Sequence, residues 1–296
     1  MPNINLDDAY ILDETGEQVD KVAGLFTKDE DTTSGEKAFA QLNIGTAGSN
    51  RNLLDNPWFT VNQRAAATVS SVGYHLDRWY SYNNYTVTAN GITTTSAGNF
   101  DQTLESALKT ALNGQTVTMS AKLADGTVYS STGTYYSAHG STYSIGSGGG
   151  ITFYITGDGK ARYTFGNNLS IRAVKLELGT VSTLANDTPP DYGTELAKCQ
   201  YYSRVIEVSG YFAFGIAAGS AHIQTPLQYA MRARPSVSFT GSIALFGAND
   251  LTASSIVVSA WGPSAICLDF VTTGATSRTP YIVNMTNAKI ILSADL

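Results

Sequence analysis

The stretch QTVTMSAKLADG, residues 115–126, decides the class of fold. Its apolar residues occupy every second position from Val117 to Leu123, and threonine, serine and lysine fill the positions between them. This period of two is typical of a β-strand with one face against a core and the other toward solvent. The Asp125-Gly126 pair that follows is a frequent hairpin turn. The stretch therefore predicts a half-buried antiparallel strand that ends in a tight turn.

The same period recurs farther along the chain. ITFYIT, residues 151–156, alternates in the same way and precedes a second turn signal at Asp158-Gly159. In VKLEL, residues 174–178, the valine and both leucines are predicted to face the core, with the lysine and glutamate on the other face. Short strands separated by regular turns predict an all-β sandwich or jelly roll over residues 51–190.

Helix is predicted at three places, namely residues 34–48, 100–112 and 192–204, where apolar residues recur at helical spacing. The stripe on the third helix consists of Leu196, Cys199 and Ser203. We expect this stripe to need partner chains for its burial. From residue 206 the strand patterns return, and a domain of roughly 90 residues is small enough that association of copies would stabilise it.

The predicted organisation has four parts. They are a short N-terminal segment at 1–50, a β-sandwich at 51–190, a linker helix at 191–205 and a second small β-sandwich at 206–296. The N-terminal segment has no core of its own, so we expect docking to order it.

Charge is sparse and unevenly distributed. Only 14% of the residues are charged, against about 25% in typical soluble domains. Residues 1–31 hold nine acids and two lysines, a net charge of −7, which leaves the rest of the chain at +1. Because no basic stripe exists, nucleic acid and anionic membrane surfaces are not expected partners.

The sequence predicts neither a disulfide framework nor a metal site. Cys199 and Cys267 are two isolated cysteines, which we expect to be free thiols of a protein made in a reducing cytoplasm. His75, His139 and His222 are too scattered for zinc. The first residues lack the pattern of a signal peptide, and no apolar run reaches about 18 residues, so membrane insertion is not expected.

Sequence motifs of catalysis are missing as well. The chain contains no G-x-S-x-G, H-E-x-x-H or Walker motif, and the glycine run at residues 146–150 precedes a strand, so we interpret it as a loop. Glycoside hydrolysis needs two carboxylates at the scissile bond, and acids are sparse after residue 50. We therefore predict a protein that is not an enzyme and has no cofactor.

Several stretches resemble proteins of bacteriophage tails. SGEKAFAQLNIG, residues 34–45, resembles an alanine-rich element near the N-terminal ends of tail-fibre proteins. RNLLDNPWFTVNQR and GYHLDRWY, residues 51–64 and 73–80, resemble the start of a carbohydrate-binding-module-like jelly roll in tail proteins of phages and prophages of Gram-positive hosts. AVKLELG and DYGTELAKCQYYSRV, residues 173–179 and 191–205, resemble its closing strand and the helical linker that follows. KIILSADL, residues 289–296, resembles the last strand of their terminal β domain.

This resemblance implies a receptor-binding fibre protein. Such proteins are typically homotrimers whose N-termini attach to the phage particle and whose distal domains bind host cell-surface polysaccharide, so the expected location is the virion. Related glycan-binding modules carry a structural calcium held in part by an aspartate of the final strand. Here the matching residues, Ile171–Val174, contain no acid, and this departure leaves the presence of calcium an open question. The alternatives are a connector or capsid-decorating fibre without a receptor role, and a polysaccharide-degrading tailspike.

Three groups of residues that contain aromatic side chains each have two interpretations. Asp77-Arg78-Trp79-Tyr80 is either a sugar platform or a core tryptophan beside an Asp–Arg pair at a strand end, and its position in the family favours the core. Tyrosines at 80, 82 and 85, interleaved with asparagine, form one aromatic-polar stretch, and residues 129–143 form another. Their rings either bind ligand or alternate into the sandwich.

The candidate glycan contacts combine aromatic and polar residues of predicted loops. They are Tyr135, Tyr136, Tyr211, Tyr229, Asn249, Asp250 and Trp261. We expect those after residue 206 to form the distal surface. Trp261 precedes Gly262-Pro263 at a strand end, where it either stacks on a sugar or is buried against the domain core or between subunits.

Overall fold

The computed structural model describes residues 10–12, 18–21, 49–217, 219–247 and 249–295. The chain divides into two compact units, Met1–Asn50 and Arg51–Leu296. In the first unit, β1 (Tyr10–Leu12) pairs antiparallel with β2 (Gln18–Lys21). The helix predicted over residues 34–48 lies outside the described residues.

The second unit begins with a β-sandwich. Its elements in chain order are β3 (Thr68–Val69), β4 (Gly73–Leu76), β5 (Trp79–Ser81), β6 (Tyr85–Thr88), β7 (Gly91–Thr94), β8 (Gly98–Gln102), α1 (Ser106–Leu112), β9 (Thr116–Leu123), β10 (Val128–Thr134), β11 (Tyr143–Gly148), β12 (Ile151–Ile155), β13 (Ala161–Phe165) and β14 (Ser170–Leu178). The strands form two six-stranded antiparallel sheets, ordered β10-β9-β14-β7-β6-β3 and β11-β12-β13-β8-β5-β4. Apolar side chains of both sheets meet in one core, which confirms the prediction of a predominantly β, sandwich-like fold.

The two hairpins predicted from the sequence are present. β9 pairs with β10 across Asp125-Gly126, and β12 pairs with β13 across Asp158-Gly159. Most of their alternating apolar residues, such as Met119 and Phe153, are fully buried, and Leu123 is partly buried.

The middle polar positions of β9 and β14 are buried, which the alternation did not predict. They are Thr118, Ser120, Lys175 and Glu177. The segment that follows β14, including a 3₁₀ helix at Leu184–Asn186, covers this side of the sheet. There the Lys175 ammonium lies 2.9 Å from the Asp187 carboxylate, and Glu177 accepts a hydrogen bond from the Thr183 amide. Leu178, predicted to face the core, is exposed instead. Charged groups remain buried here because each has a partner under the covering segment.

The helix predicted over residues 100–112 begins only at Ser106. Residues 98–102 form β8 instead, in the middle of a sheet. Phe100 packs in the sandwich core from this strand, and a helix would withdraw its ring. Tertiary packing therefore overrides the helical spacing at the start of this segment.

The linker helix is α2 (Tyr192–Tyr202). Asp191 is its N-cap, and the Asp191 carboxylate accepts a hydrogen bond from the Thr194 amide. Its buried residues are Glu195, Cys199 and Tyr202, so Cys199 of the predicted stripe is buried while Leu196 is only partly buried. Glu195 accepts a hydrogen bond from the backbone amide of Asn56 in the same chain. The chain itself covers the buried face of this helix, so the helix adds no support to the predicted association with partner chains.

The chain ends in a second β region. Its strands are β15 (Ser203–Ile206), β16 (Phe212–Ala217), β17 (Ser220–Pro226), β18 (Ser236–Phe246), β19 (Leu251–Thr252), β20 (Ser255–Trp261), β21 (Ala265–Val271) and β22 (Pro280–Ser293). They are ordered β19-β18-β22-β16-β17-β21-β20, with β15 also on β22, around a separate apolar core. None of the helices among the described residues is long and apolar enough to cross a membrane.

Candidate functional site

The seven residues predicted to contact glycan do not form one site. Tyr135 is fully buried in the sandwich core, and its hydroxyl donates a 2.6 Å hydrogen bond to the carbonyl of Gly159. Burial raises the pKa of this hydroxyl. A ring with no exposed surface cannot stack on a sugar, so Tyr135 is corrected from a ligand contact to a core residue.

Tyr136 is exposed and belongs to a small aromatic cluster. Its ring centroid lies 5.6 Å from that of His139 and 6.0 Å from that of Tyr143. The Tyr143 hydroxyl accepts a hydrogen bond from the Tyr136 amide and donates one to the Thr134 carbonyl. The loop therefore presents an aromatic surface whose geometry the chain itself holds in place.

The candidates near the start of β22 are exposed. The backbone carbonyl of Tyr211 accepts a hydrogen bond from the Val283 amide, near the N-terminal end of that strand. Asn249 and Asp250 follow β18 just beyond Phe246, which pairs with Ile282. These three residues therefore lie toward one end of the sheet.

Trp261 and Tyr229 are also exposed, and each lies in a different part of the sheet. Trp261 is the last residue of β20 and pairs with Ile266 at the start of β21. Tyr229 follows the end of β17, and its carbonyl accepts a hydrogen bond from Arg204, beside the C-terminal end of β22. Trp261 therefore lies three strands away from Tyr211, across β17 and β21, and Tyr229 lies beside the end of β22 opposite to Asn249 and Asp250. The residues predicted as one distal surface are not brought together.

Within the cluster at residues 77–80, the first three residues make contacts inside the protein. Trp79 is buried in the core. The Asp77 carboxylate accepts 2.7 Å hydrogen bonds from the amide and side chain of Gln63, and burial raises its pKa. Arg78 pairs with Asp55 at 3.1 Å and not with Asp77. Trp79 is therefore a core residue, as the second interpretation held, but the predicted pair of Asp77 with Arg78 is not formed.

Tyr80 points the other way, into a row that crosses the outer face of the sandwich. Tyr74 pairs in register with Tyr80, Tyr80 with Asp101, Asp101 with Arg162, and Arg162 with Tyr154. Directly paired residues of antiparallel strands share a face, so these five side chains lie side by side. Together with Tyr82, which adjoins Tyr80, we call them the tyrosine face.

An ion pair stands at the centre of the tyrosine face. The Arg162 guanidinium donates two hydrogen bonds of 2.7 Å, one to each oxygen of the Asp101 carboxylate. The carboxylate is nearly buried, and its hydrogen bond raises the pKa of Arg162. The two parallel hydrogen bonds hold both charged groups in one plane. A ligand hydroxyl there can accept a hydrogen bond from the guanidinium and donate one to the carboxylate.

Tyrosine rings flank this pair on one side and form an open cleft. The centroids of Tyr74 and Tyr80 are 5.1 Å apart, and those of Tyr80 and Tyr82 are 4.9 Å apart. Burial raises the pKa of Tyr74 to about 12, from an ordinary value near 10. With Thr103 and Lys160 these groups line a cleft of about 280 Å³.

The sequence contained only part of the signal for this face. Tyr80 and Tyr82 belong to the aromatic-polar stretch noted above. Asp101 and Arg162 are 61 positions apart, and Tyr154 lies on a third strand. Only the register of five strands brings them together, although alternation within β12 and β13 already predicts that Tyr154 and Arg162 point away from the core.

A Ser–His–Asp cluster lies on the outer face of the C-terminal sheet. His222 Nδ1 is 2.6 Å from an Asp269 carboxylate oxygen, and the Ser259 hydroxyl donates a 2.8 Å hydrogen bond to that same oxygen. In a nucleophile–base relay the serine would instead contact the ring nitrogen that the carboxylate leaves free. This arrangement therefore orders three side chains and does not activate the serine.

Metal-ligating groups do not converge in the part of the chain that the structure describes. No cluster of three or more histidine, cysteine or acidic side chains occurs there. Comparisons with protein-family models, with curated proteins and with solved structures found no match.

Proposed function

We propose that the chain is a non-catalytic attachment protein of a bacteriophage or prophage particle, and that its tyrosine face binds polysaccharide of the bacterial surface. The observation that carries this proposal is the cross-strand row in which tyrosines flank the bidentate Asp101–Arg162 pair. A pyranose ring has an apolar surface of C–H groups and a rim of hydroxyls. Aromatic rings beside fixed polar groups match both features.

The charges of the face favour a neutral glycan. Arg162 is paired with Asp101, and Lys160 with Asp158 at 3.1 Å. An anionic wall polymer would require cations that are free to meet its phosphates or carboxylates. Here each cation already has a carboxylate partner, so hydroxyl groups are the better match.

The length of the face favours a chain over a single sugar. The row runs across five strands, β4, β5, β8, β13 and β12. Neighbouring strands lie about 4.8 Å apart, so the row extends roughly 20 Å, enough for several consecutive sugar rings.

Resemblance to tail-fibre proteins supports the remaining parts of the proposal. The sandwich is a carbohydrate-binding-module-like jelly roll, the chain assembles as a homotrimer, and residues 1–50 attach it to the particle. The protein then acts in the virion, where several copies of the face would raise the avidity for a repetitive surface.

Binding of fluorescently labelled full-length protein to Gram-positive bacteria, before and after removal of wall glycans, tests this function. We expect binding that is lost with the glycans and weakened at least tenfold, or about 1.4 kcal/mol, by Tyr82→Ala. Tyr192→Ala is the matched control, because Tyr192 is an exposed tyrosine of α2 away from the face. Equal weakening by both variants would refute the assignment of the face.

The same assay separates the alternatives. A connector or decorating fibre predicts no binding to any cell, with or without glycans. A tailspike predicts release of soluble sugar fragments from purified wall polysaccharide, which the proposed adhesin leaves intact.

A further inference from the structure

The C-terminal sheet exposes a continuous apolar surface. Phe246 of β18 pairs in register with Ile282 of β22, which pairs with Phe212 of β16. Phe214 and Ile216 continue along β16 at alternate positions, on the same side of the strand. These five side chains are between 43% and 63% exposed, and we call them the apolar face.

The neighbouring outer positions of these strands are mostly small or polar. Beyond Phe246 and Ile282, the paired outer positions of β18 and β22 hold Ala244 with Asn284 and Ser242 with Thr286. Small polar residues are usual on a strand face that meets water. The change from serine, threonine and asparagine to phenylalanine and isoleucine is therefore a local feature of one end of the sheet.

The size of the apolar face matches the apolar centre of a protein contact. Five large side chains that are about half exposed present on the order of 500 Å² of apolar surface, near the upper limit for a monomer. A standard interface buries about 800 Å² on each partner, with an apolar centre and a polar rim. The apolar face would provide the centre, and the neighbouring serines and threonines would provide the rim.

The absence of polar groups from the apolar face indicates what kind of partner it can bind. None of its five side chains carries a charge or a hydroxyl, and Ile282 occupies the position between two phenylalanines. A glycan would leave its hydroxyls unpaired there, in contrast to the tyrosine face. Around a symmetry axis, identical patches meet one another, and only an uncharged patch can do so without repulsion between like charges.

We infer that the apolar face is the contact through which copies of this chain assemble. The inference deepens the proposed homotrimer by locating its interface, and it does not depend on glycan binding. The exposed rings of β16 from each copy pack against one another, and assembly removes them from water. It also gives the small C-terminal β region the additional buried surface that a domain of its size needs.

Light scattering of the full chain at micromolar concentration tests the inference, with Phe212→Asp as the main variant. We expect the wild type at three times the chain mass of 31.4 kDa and the variant as a monomer, because the substitution brings like charges together. Tyr192→Asp, which alters an exposed aromatic residue of α2, should remain trimeric. A monomeric wild type, or a Phe212→Asp variant that keeps the wild-type mass, would overturn the inference.

Two further measurements keep the test decisive. If Phe212→Asp lowers the melting temperature of the monomer, Phe212→Ser removes the ring without adding charge and should still raise the dissociation constant of assembly at least tenfold. The affinity of each copy for a short soluble oligosaccharide should stay unchanged in both variants. Loss of assembly with intact oligosaccharide binding supports the interface, whereas a trimer that binds no oligosaccharide refutes only the glycan proposal.

Discussion

The tyrosine face and the apolar face are both cross-strand rows on the outer sides of antiparallel sheets, yet their side chains differ in kind. In the first, tyrosine rings flank the paired charges of Asp101 and Arg162 on both sides of the row. In the second, Ile282 separates two phenylalanines and no polar group intervenes. A surface for hydroxyl-rich ligands needs donors and acceptors between its rings, and a surface for another copy of itself does not. Identical strand geometry can thus serve two kinds of recognition.

The largest expected effect concerns the ion pair that distinguishes the two faces. Arg162→Ala leaves the nearly buried Asp101 carboxylate without its partner, so we expect a loss of about 3 kcal/mol in the free energy of unfolding and at least tenfold weaker glycan binding. Urea denaturation and the cell-binding assay measure the two effects. Arg51→Ala, at an exposed arginine, is the control. An unchanged urea midpoint would mean that the pair does not organise the face.

A smaller loss of stability is expected when a buried tyrosine outside the tyrosine face is changed. Tyr135→Phe removes a buried hydroxyl and leaves the Gly159 carbonyl without its donor, which should cost about 1–2 kcal/mol of stability. Glycan binding should stay unchanged, because the ring lies in the core. Thermal unfolding together with glycan titration distinguishes this outcome from a role in the ligand site, for which binding would fall.

Alkaline pH probes the cleft itself. The pKa of Tyr74 is raised to about 12 from an ordinary value near 10, so the folded state favours the neutral hydroxyl. Its contribution to stability is therefore complete below pH 10 and is lost as the pH rises toward 12. A spectroscopic titration should show one fewer late-ionising tyrosine in Tyr74→Phe. If instead a tyrosine that ionises near pH 10 disappears, Tyr74 is not buried as described.

The smallest expected effect is that of salt, to which glycan binding and assembly should respond differently. Glycan binding should change less than about twofold between 0.05 and 0.5 M sodium chloride, because the charges of the tyrosine face are already paired. Assembly through the apolar face should strengthen in sodium sulfate, which favours burial of apolar surface. Strongly salt-dependent glycan binding would indicate an anionic ligand and contradict the neutral one.

The elements predicted correctly share a local cause. Alternation and the Asp-Gly turns predicted the β9–β10 and β12–β13 hairpins, since both signals act within a dozen residues. Errors arose where distant segments intervened. The charged residues of β14 are buried because a later segment crosses that side of the sheet, and the residues before Ser106 extend as a strand because the core needs Phe100.

The amino-acid sequence alone determined the all-β class, the alternating faces of its strands and the sparse, unevenly distributed charge. Which outward-facing residues become neighbours was decided only by tertiary structure. Asp101 meets Arg162, and Phe246 lies beside Ile282, because strands far apart in the chain pair in one register. Period-two alternation tells which side of a strand a residue occupies, but it holds no information about the strand that will lie beside it. Pairing between distant strands, and with it each candidate site, therefore arises only when the whole sheet has formed.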